Sequence, residues 1–559
     1  MKEFFALLDH LKSLYENGLY EDVKLLADLL IATTESSPVT SQPFFSSANT
    51  STAFSSSSSQ SSAFSGIPFQ CDPKDKYTIL FLYANAVFNL REYKTAEALF
   101  NKALQINRSN LKSKPKTLTS LDSETDIQIK FNLHLCLFYD KKYQDAYLIL
   151  DSIPSKQRTV KILMAMGKLC QILMNNKEAI TIYKEVLKIS KFSIVAIEAL
   201  LNLGLKMDDL PKMPSNISTD WLNIYLKGKS NLISRDYKEA IKSFKTLDSN
   251  LTHRSAEVLC SLANSQYLNG EYSNAISSFE KLHKLEPTWI SKMDIYAFLL
   301  FSDKSEFDKL STLERLANDM HQVSVNIPET WTIIGYYSLK KKSQKAKCFA
   351  ENALLIDHEN CQALLLRAIA LGKLKAISES AVTYREATRI NIYFYEAYKG
   401  LVETLLNLNH TKDAIQIAAN AVKLLGSNHR TLALYGEALS RDSLTQEKSK
   451  TYLYKAIKGD PENQEAVICL VRVCMTLQQF TEALEVLGKY IRHNPSNPRL
   501  MHIYSELMKK CGKSDEAIIY MNKASGMDTA NLQMKSMIER AEQNIETSLD
   551  ESIQNFHAS

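Results

Sequence analysis

The chain has 559 residues, 45% of them apolar and 23% charged, enough for folded cores under an ordinary solvated surface. Only 15 glycines and 13 prolines interrupt it, too few for a collagen-like, proline-rich or hairpin-built all-β protein. The net charge of +5, from 67 basic and 62 acidic residues, is close to balance and gives no electrostatic argument for nucleic acid or an anionic membrane.

The first element is a helical pair over residues 1–33. Phe4, Leu7, Leu8, Leu11 and Tyr15 recur at three-to-four spacing. Gly18 breaks the run, and Val23, Leu25, Leu26, Leu29 and Leu30 follow. Phe4, Phe5, Leu8, Leu11 and Tyr15, with Leu7 and Leu14, cover more than one helix face. Such a surface has two outlets: a partner protomer, or the first repeat of its own chain around Leu80, Tyr83 and Ala84.

Residues 34–72 read as a disordered linker. From Ser46 to Ser65, 11 of 20 residues are Ser, too polar to offset the entropy of ordering. Ser37-Pro38 is the one Ser/Thr-Pro pair in the chain and makes Ser37 a candidate phosphosite. Residues 108–125, with Lys112-Ser113-Lys114-Pro115-Lys116, read as a long loop between helices.

From 73 to 530 the chain is periodic. A small residue is followed four later by a large apolar one and three later by Ala or Leu. Ala96-Phe100-Ala103, Ala179-Tyr183-Val186, Ala240-Phe244-Leu247 and Ala275-Phe279-Leu282 fit this rule. The triads that begin at Ala346, Ser380, Ala414, Ser449, Ala483 and Ala517 continue the spacing, with alanine in the middle place at Ala350 and Ala418, and their first members are 34 or 35 residues apart. That is the period of a tetratricopeptide repeat, and the span holds about 13 units. Pro287, Pro461 and Pro495 close units, because proline disfavours helix at the residue before it. The stretch from Trp289 to Pro328 is degenerate. The expected fold is all-α, a right-handed superhelical solenoid. Residues 531–559 read as a capping helix and an acidic tail.

No apolar leader follows Met1, and no run of about 18 apolar residues occurs, so neither secretion nor a membrane span is expected. The nine cysteines form no CxxC pair and read as reduced, buried hydrophobes in a reducing compartment. There is no P-loop, GxGxxG, HExxH or GxSxG, and no RING-type zinc spacing. No catalytic residue, cofactor, metal or small-molecule substrate is expected. His134 and Cys136 are two apart on a helix, so their side chains diverge. Lys340-Lys341-Lys342 with Lys345 is a solvated basic run at a turn. Tyr393, Phe394 and Tyr395 open a first helix, where they could contact a peptide in the concave groove or pack between neighbouring repeats. A carboxylate-clamp site would need Lys four residues before Asn85 or Asn264, and Phe81 and Cys260 stand there instead.

Several segments depart from the generic repeat: Ile153-Pro154-Ser155-Lys156-Gln157-Arg158-Thr159, Asp220-Trp221-Leu222, Lys292-Met293-Asp294-Ile295-Tyr296, Gln362-Ala363-Leu364-Leu365-Leu366 and Thr445-Gln446-Glu447-Lys448. In order and spacing, over nearly the whole chain, they resemble the anaphase-promoting complex (cyclosome) subunit 7 family. The resemblance implies a non-catalytic scaffold subunit of a multi-subunit E3 ubiquitin ligase that controls mitotic progression and exit. It implies work in the nucleus and cytoplasm, stacking on sister repeat subunits, and homodimers formed through N-terminal repeats. It tips the N-terminal surface towards the dimer. The Ser-rich stretch is longer than the family suggests and the acidic tail shorter, so no role is carried over for either. A stand-alone peptide-binding adaptor or co-chaperone is the alternative, and the missing clamp argues against it. A repeat-bearing transferase would need a separate domain of some 200 residues, for which the periodicity leaves no room.

Overall fold

The computed structural model describes residues 2–35, 73–112, 120–209 and 220–524, apart from 252, 304–305, 462, 494–497 and 514–515. Ser37, the Ser-rich stretch, and the capping helix and tail of 531–559 lie outside the described residues. Among the described residues there is no strand.

Packing divides the chain into two units, Met1–Arg235 and Asp236–Ser559. The first holds α1 (Lys2–Glu16), α2 (Tyr20–Glu35), α3 (Pro73–Asn89), α4 (Tyr93–Lys112), α5 (Ser120–Tyr139), α6 (Tyr143–Asp151), α7 (Val160–Ile172), α8 (Asn176–Ile189), α9 (Ile194–Asn202) and α10 (Asp220–Ile233). The second begins with α11 (Tyr237–Asn250), α12 (Ala256–Asn269), α13 (Tyr272–Leu285), α14 (Met293–Ser302), α15 (Glu306–Val323), α16 (Pro328–Lys341), α17 (Ser343–Ile356) and α18 (Cys361–Lys373). It continues with α19 (Ile377–Ile390), α20 (Tyr395–Asn407), α21 (Thr411–Leu425), α22 (His429–Ser440), α23 (Gln446–Gly459), α24 (Gln464–Thr476), α25 (Phe480–His493) and α26 (Pro498–Lys510). The array expected over 73–530 runs through both units. The intervals from Ala96 to Ala179 and from Ala179 to Ala240 are not multiples of 34, so the period is regular only in the second unit.

The repeating triads are the floor of each helix pair. Ala275, Phe279 and Leu282 are fully buried, as are Ala96, Phe100 and Ala103, and Ala346, Ala350 and Ala353. Small residues let helices approach where large ones fill the gap. At Gly400 a Cβ would lie 2.3 Å from the Tyr384 ring, so glycine there admits the tyrosine of the preceding helix. Met521 departs from the pattern at 38% exposure. The helix expected to cover it falls outside the described residues.

The turn inside a repeat recurs with one geometry. Arg91, Lys141, Met174, Arg235, Lys375, Asn409 and Gln478 all adopt positive φ, as Gly204, Gly270 and Gly512 do. At Arg91 the N–H donates to the Phe88 carbonyl, and the next N–H, of Glu92, donates back to Val87. This left-handed C-terminal turn satisfies the last helical carbonyls. It costs roughly 1–2 kcal/mol at a residue other than glycine, which packing on both sides offsets, and it explains how so few glycines suffice. Helix starts are capped by side chains at Ser255, Asn360 and Asn463, and by a capping box between Asn428 and Thr431.

Two sequence expectations shift. Helix α4 runs to Lys112 and α5 starts at Ser120, so most of the loop expected over 108–125 is helix. Lys, Asn, Leu and Glu there are helix-compatible and unbroken on either side of Pro115. The degenerate stretch from Trp289 to Pro328 still forms a pair, with a short buried α14 beside a long α15.

Candidate functional site

Helices α1 and α2 pack on α3. Leu8 and Leu11 of α1 are buried with Val23, Ala27 and Leu30 of α2 against Ile79, Leu82 and Ala86 of α3. Lys24 Nζ lies 2.6 Å from Glu92 Oε1 and ties α2 to the α3–α4 turn. Leu8 and Leu11, candidates for the dimer interface, pack against the chain's own first repeat, and Tyr15 is half-buried beside them. The side chain of Phe4 lies outside the described residues. What the pair offers outward is Phe5 of that candidate set (48% exposed), with Leu7, and Leu25 and Leu29 (65% each), the last two one turn apart on α2.

The groove candidates divide as well. Tyr393 is at the surface, but Phe394 is buried and Tyr395 is packed against α22. The Tyr395 hydroxyl donates to the Arg430 carbonyl at 3.3 Å. Phe394 and Tyr395 thus pack between neighbouring repeats and do not present themselves to a peptide. The Lys340–Lys342 run lies at the α16–α17 turn as expected, with Lys340 and Lys341 over the chain's own Phe301 and Tyr337 rings.

One constellation was not expected from the sequence. Arg430, at the start of α22, reaches across the second unit to the α12–α13 turn. Its Nη2 donates to Glu396 Oε1 at 2.7 Å and to the Tyr272 hydroxyl, and Nη1 donates to the Leu268 carbonyl at 3.3 Å. The Tyr272 hydroxyl donates to the same Glu396 oxygen at 2.8 Å. The guanidinium stacks 3.9 Å from the Tyr395 ring centroid and 5.1 Å from that of Tyr272. Both charged side chains are nearly buried, 11% and 8% exposed. Burial opposes the arginine's charge, yet Tyr272 and Glu396 hold its pKa above the ordinary value. Burial drives the Tyr272 phenol well above its usual range. Nearby, Lys399 lies 2.6 Å from Glu465 and 4.0 Å from Glu403, and burial among other carboxylates pushes Glu403 up to about 7.

None of these arrangements is a nucleophile with a base. His134 hydrogen-bonds the Phe131 carbonyl and is pushed down to about 4 by burial, while burial lifts the Cys136 thiol to about 12. That thiol stays protonated and inert at neutral pH. Cys136, Cys170, Cys260, Cys469 and Cys474 are buried, whereas Cys361 and Cys511 are half-buried and Cys348 is exposed. Among the described residues no group of His, Cys, Asp and Glu could hold a metal ion, and no helix is long and apolar enough to cross a membrane.

A buried acid makes a testable pH effect. Asp294, in the first turn of α14, accepts the Ile295 N–H at 2.9 Å. Burial raises its pKa from 3.8 to about 6, against the pull of Lys292. The fold therefore favours the protonated acid, and the charged form costs stability as pH rises from about 4 through 6. Asp294→Asn is expected to stabilise the second unit by roughly 1–3 kcal/mol at pH 7.5. The gain should shrink as pH falls from 6 towards 4 in urea titrations, and a pH-independent effect would contradict this account.

No protein-family model matches the chain. It is 27% identical to human "Anaphase-promoting complex subunit 7", covering 99% of this chain and 95% of that protein. The Arabidopsis thaliana protein of the same name is 22% identical over 87% of this chain and 85% of its own length. Among solved structures, a chain in "Crystal structure of APC/C hetero-tetramer Cut9-Hcn1" superposes with a TM-score of 0.56 at 15% identity, over 83% of this chain and 90% of that one, and shows the same tetratricopeptide-repeat solenoid class. The resemblance read from the sequence is borne out: nearly end to end, this chain is similar to anaphase-promoting complex subunit 7.

Proposed function

We propose that the chain is a non-catalytic scaffold subunit of an anaphase-promoting complex, the E3 ubiquitin ligase that controls mitotic progression and exit. The carrying observation is similarity to subunit 7 across 99% of the chain, on a fold built of helix pairs. Such a fold presents long surfaces to several neighbours at once. Its partners are other subunits of the complex, sister repeat subunits above all. It works in the nucleus and cytoplasm, without nucleic acid, membrane, cofactor or small-molecule substrate. Affinity purification of the chain under native conditions should return the other ligase subunits at stoichiometric levels, with ubiquitin-ligase activity in the eluate. Recovery of the chain with peptide ligands or chaperones alone would favour the adaptor reading.

The same reading includes a homodimer. With Leu8 and Leu11 turned inward, the outward surface of Phe5, Leu25 and Leu29 is the one that supports it. The double variant Phe5→Asp/Leu25→Asp is expected to convert a dimer into a folded monomer in light scattering, with unchanged helicity. A variant that stayed dimeric, or a wild type monomeric at micromolar concentration, would end the proposal for this surface.

A further inference from the structure

In a repeat array each unit touches only its neighbours, and stability is a sum of local and nearest-neighbour terms. Repeats can then open one at a time, from the ends or at the weakest unit. The second unit breaks this rule at Arg430. Its hydrogen bonds to Tyr272 and Leu268 join residues 158 and 162 positions apart, and Tyr272 to Glu396 joins residues 124 apart. All the repeats between α13 and α20 are enclosed by these bonds.

The site is shaped for the arginine. Gly270 ends α12 at φ +89, and a Cβ there would lie 2.6 Å from Arg430 Cδ. Positive φ and close approach together suit glycine at that turn. Tyr395 and Tyr272 cover the guanidinium, and Glu396 supplies the buried counter-charge. A planar, always charged group with donors in a fixed fork fits such a site, and lysine would not.

We propose that Arg430, Glu396 and Tyr272 form a clasp that ties α12–α13 to α20–α22, so that the repeats between them open as one cooperative block and not one by one. The segment then behaves as a stiff element, and the clasp must break before any part of it frays. This inference stands on contacts within the second unit and does not depend on the ligase reading.

The test is native-state hydrogen exchange on the full chain. Removing one partner alone would strand a buried charge, so the variant is Arg430→Met with Glu396→Gln, which keeps bulk and removes both charges. In the wild type, the slowest amides of α12, α13, α16, α18 and α20 should share one opening rate. In the variant, α12–α13 should exchange at least tenfold faster than α16–α18, splitting the block, with α24–α25 unchanged. Tyr272→Phe, which keeps the ring and loses the hydroxyl, should give a smaller separation in the same direction. The clasp is overturned if the wild-type helices already exchange independently, if α12–α13 keep wild-type protection in both variants, or if protection falls equally through α24–α25.

Discussion

Phe279→Ala should destabilise the second unit by about 3–5 kcal/mol, the range for removing a buried aromatic. Phe279 is fully buried on α13 and stacks on Tyr296 at 5.6 Å between centroids. Its neighbours Ala275 and Leu282 are fully buried too, so nothing small and mobile can slide into the space. The cavity stays, and the lost dispersion contacts add to the lost transfer energy. Phe279→Leu keeps most of the volume and should cost far less, typically under about 1.5 kcal/mol. Urea unfolding of the full chain, followed by a probe in the second unit, reads both. Near-equal losses for Ala and Leu would mean that shape, and not volume, sets the stability of the triad. A loss under about 1 kcal/mol for Ala would mean that the site collapses and the repeat floor is more plastic than its burial implies.

The triads were readable because a repeat encodes its packing locally. Spacing four and three on one helix puts three residues on one face, and each repeat buries that face against the next. Ala414, Ala418 and Ala421 could be assigned to a floor with no knowledge of any partner, and all three are fully buried. The clasp was unreadable for the opposite reason. Glu396 and Arg430 are unremarkable residues near first-helix starts, and only the path of the chain brings Tyr272 between them. The sequence places Tyr395 as an aromatic at the start of a first helix, but its role as a stacking surface for Arg430 depends on the same path. Some departures from the repeat consensus turned out to be structural exceptions. In the segment at Ile153, the Arg158 guanidinium binds the Asp151 carbonyl and carboxylate while its Nε donates to the Ile153 carbonyl. The segment at Lys292 opens the buried α14, with Lys292 itself at positive φ. Residues that look irregular against a periodic background are where this fold makes bends that the period alone does not supply.

Leu11→Asp should release the N-terminal pair from the rest of the first unit. Leu11 is fully buried against both α2 and α3. Burial of an unpaired carboxylate there is untenable, and the substitution also removes the packing of a core leucine, worth about 2–5 kcal/mol. Helices α1 and α2 have 15 and 16 residues, and helices of that length are marginal alone in water. Once detached, they should fray, while α3 onward keeps the core of Leu80, Ala84, Phe100 and Ala103. The expected result is fast hydrogen exchange and new protease cuts confined to residues 2–35, with protection retained from α4 to α9. Phe5→Asp, at an exposed position on the same helix, should leave the pair protected. This contrast separates two roles for one apolar surface. If Leu11→Asp dissociated a dimer but left α1 and α2 as protected as in the wild type, Leu11 would face a partner in solution, and the inward packing of the pair on Ile79 and Leu82 would have to be abandoned.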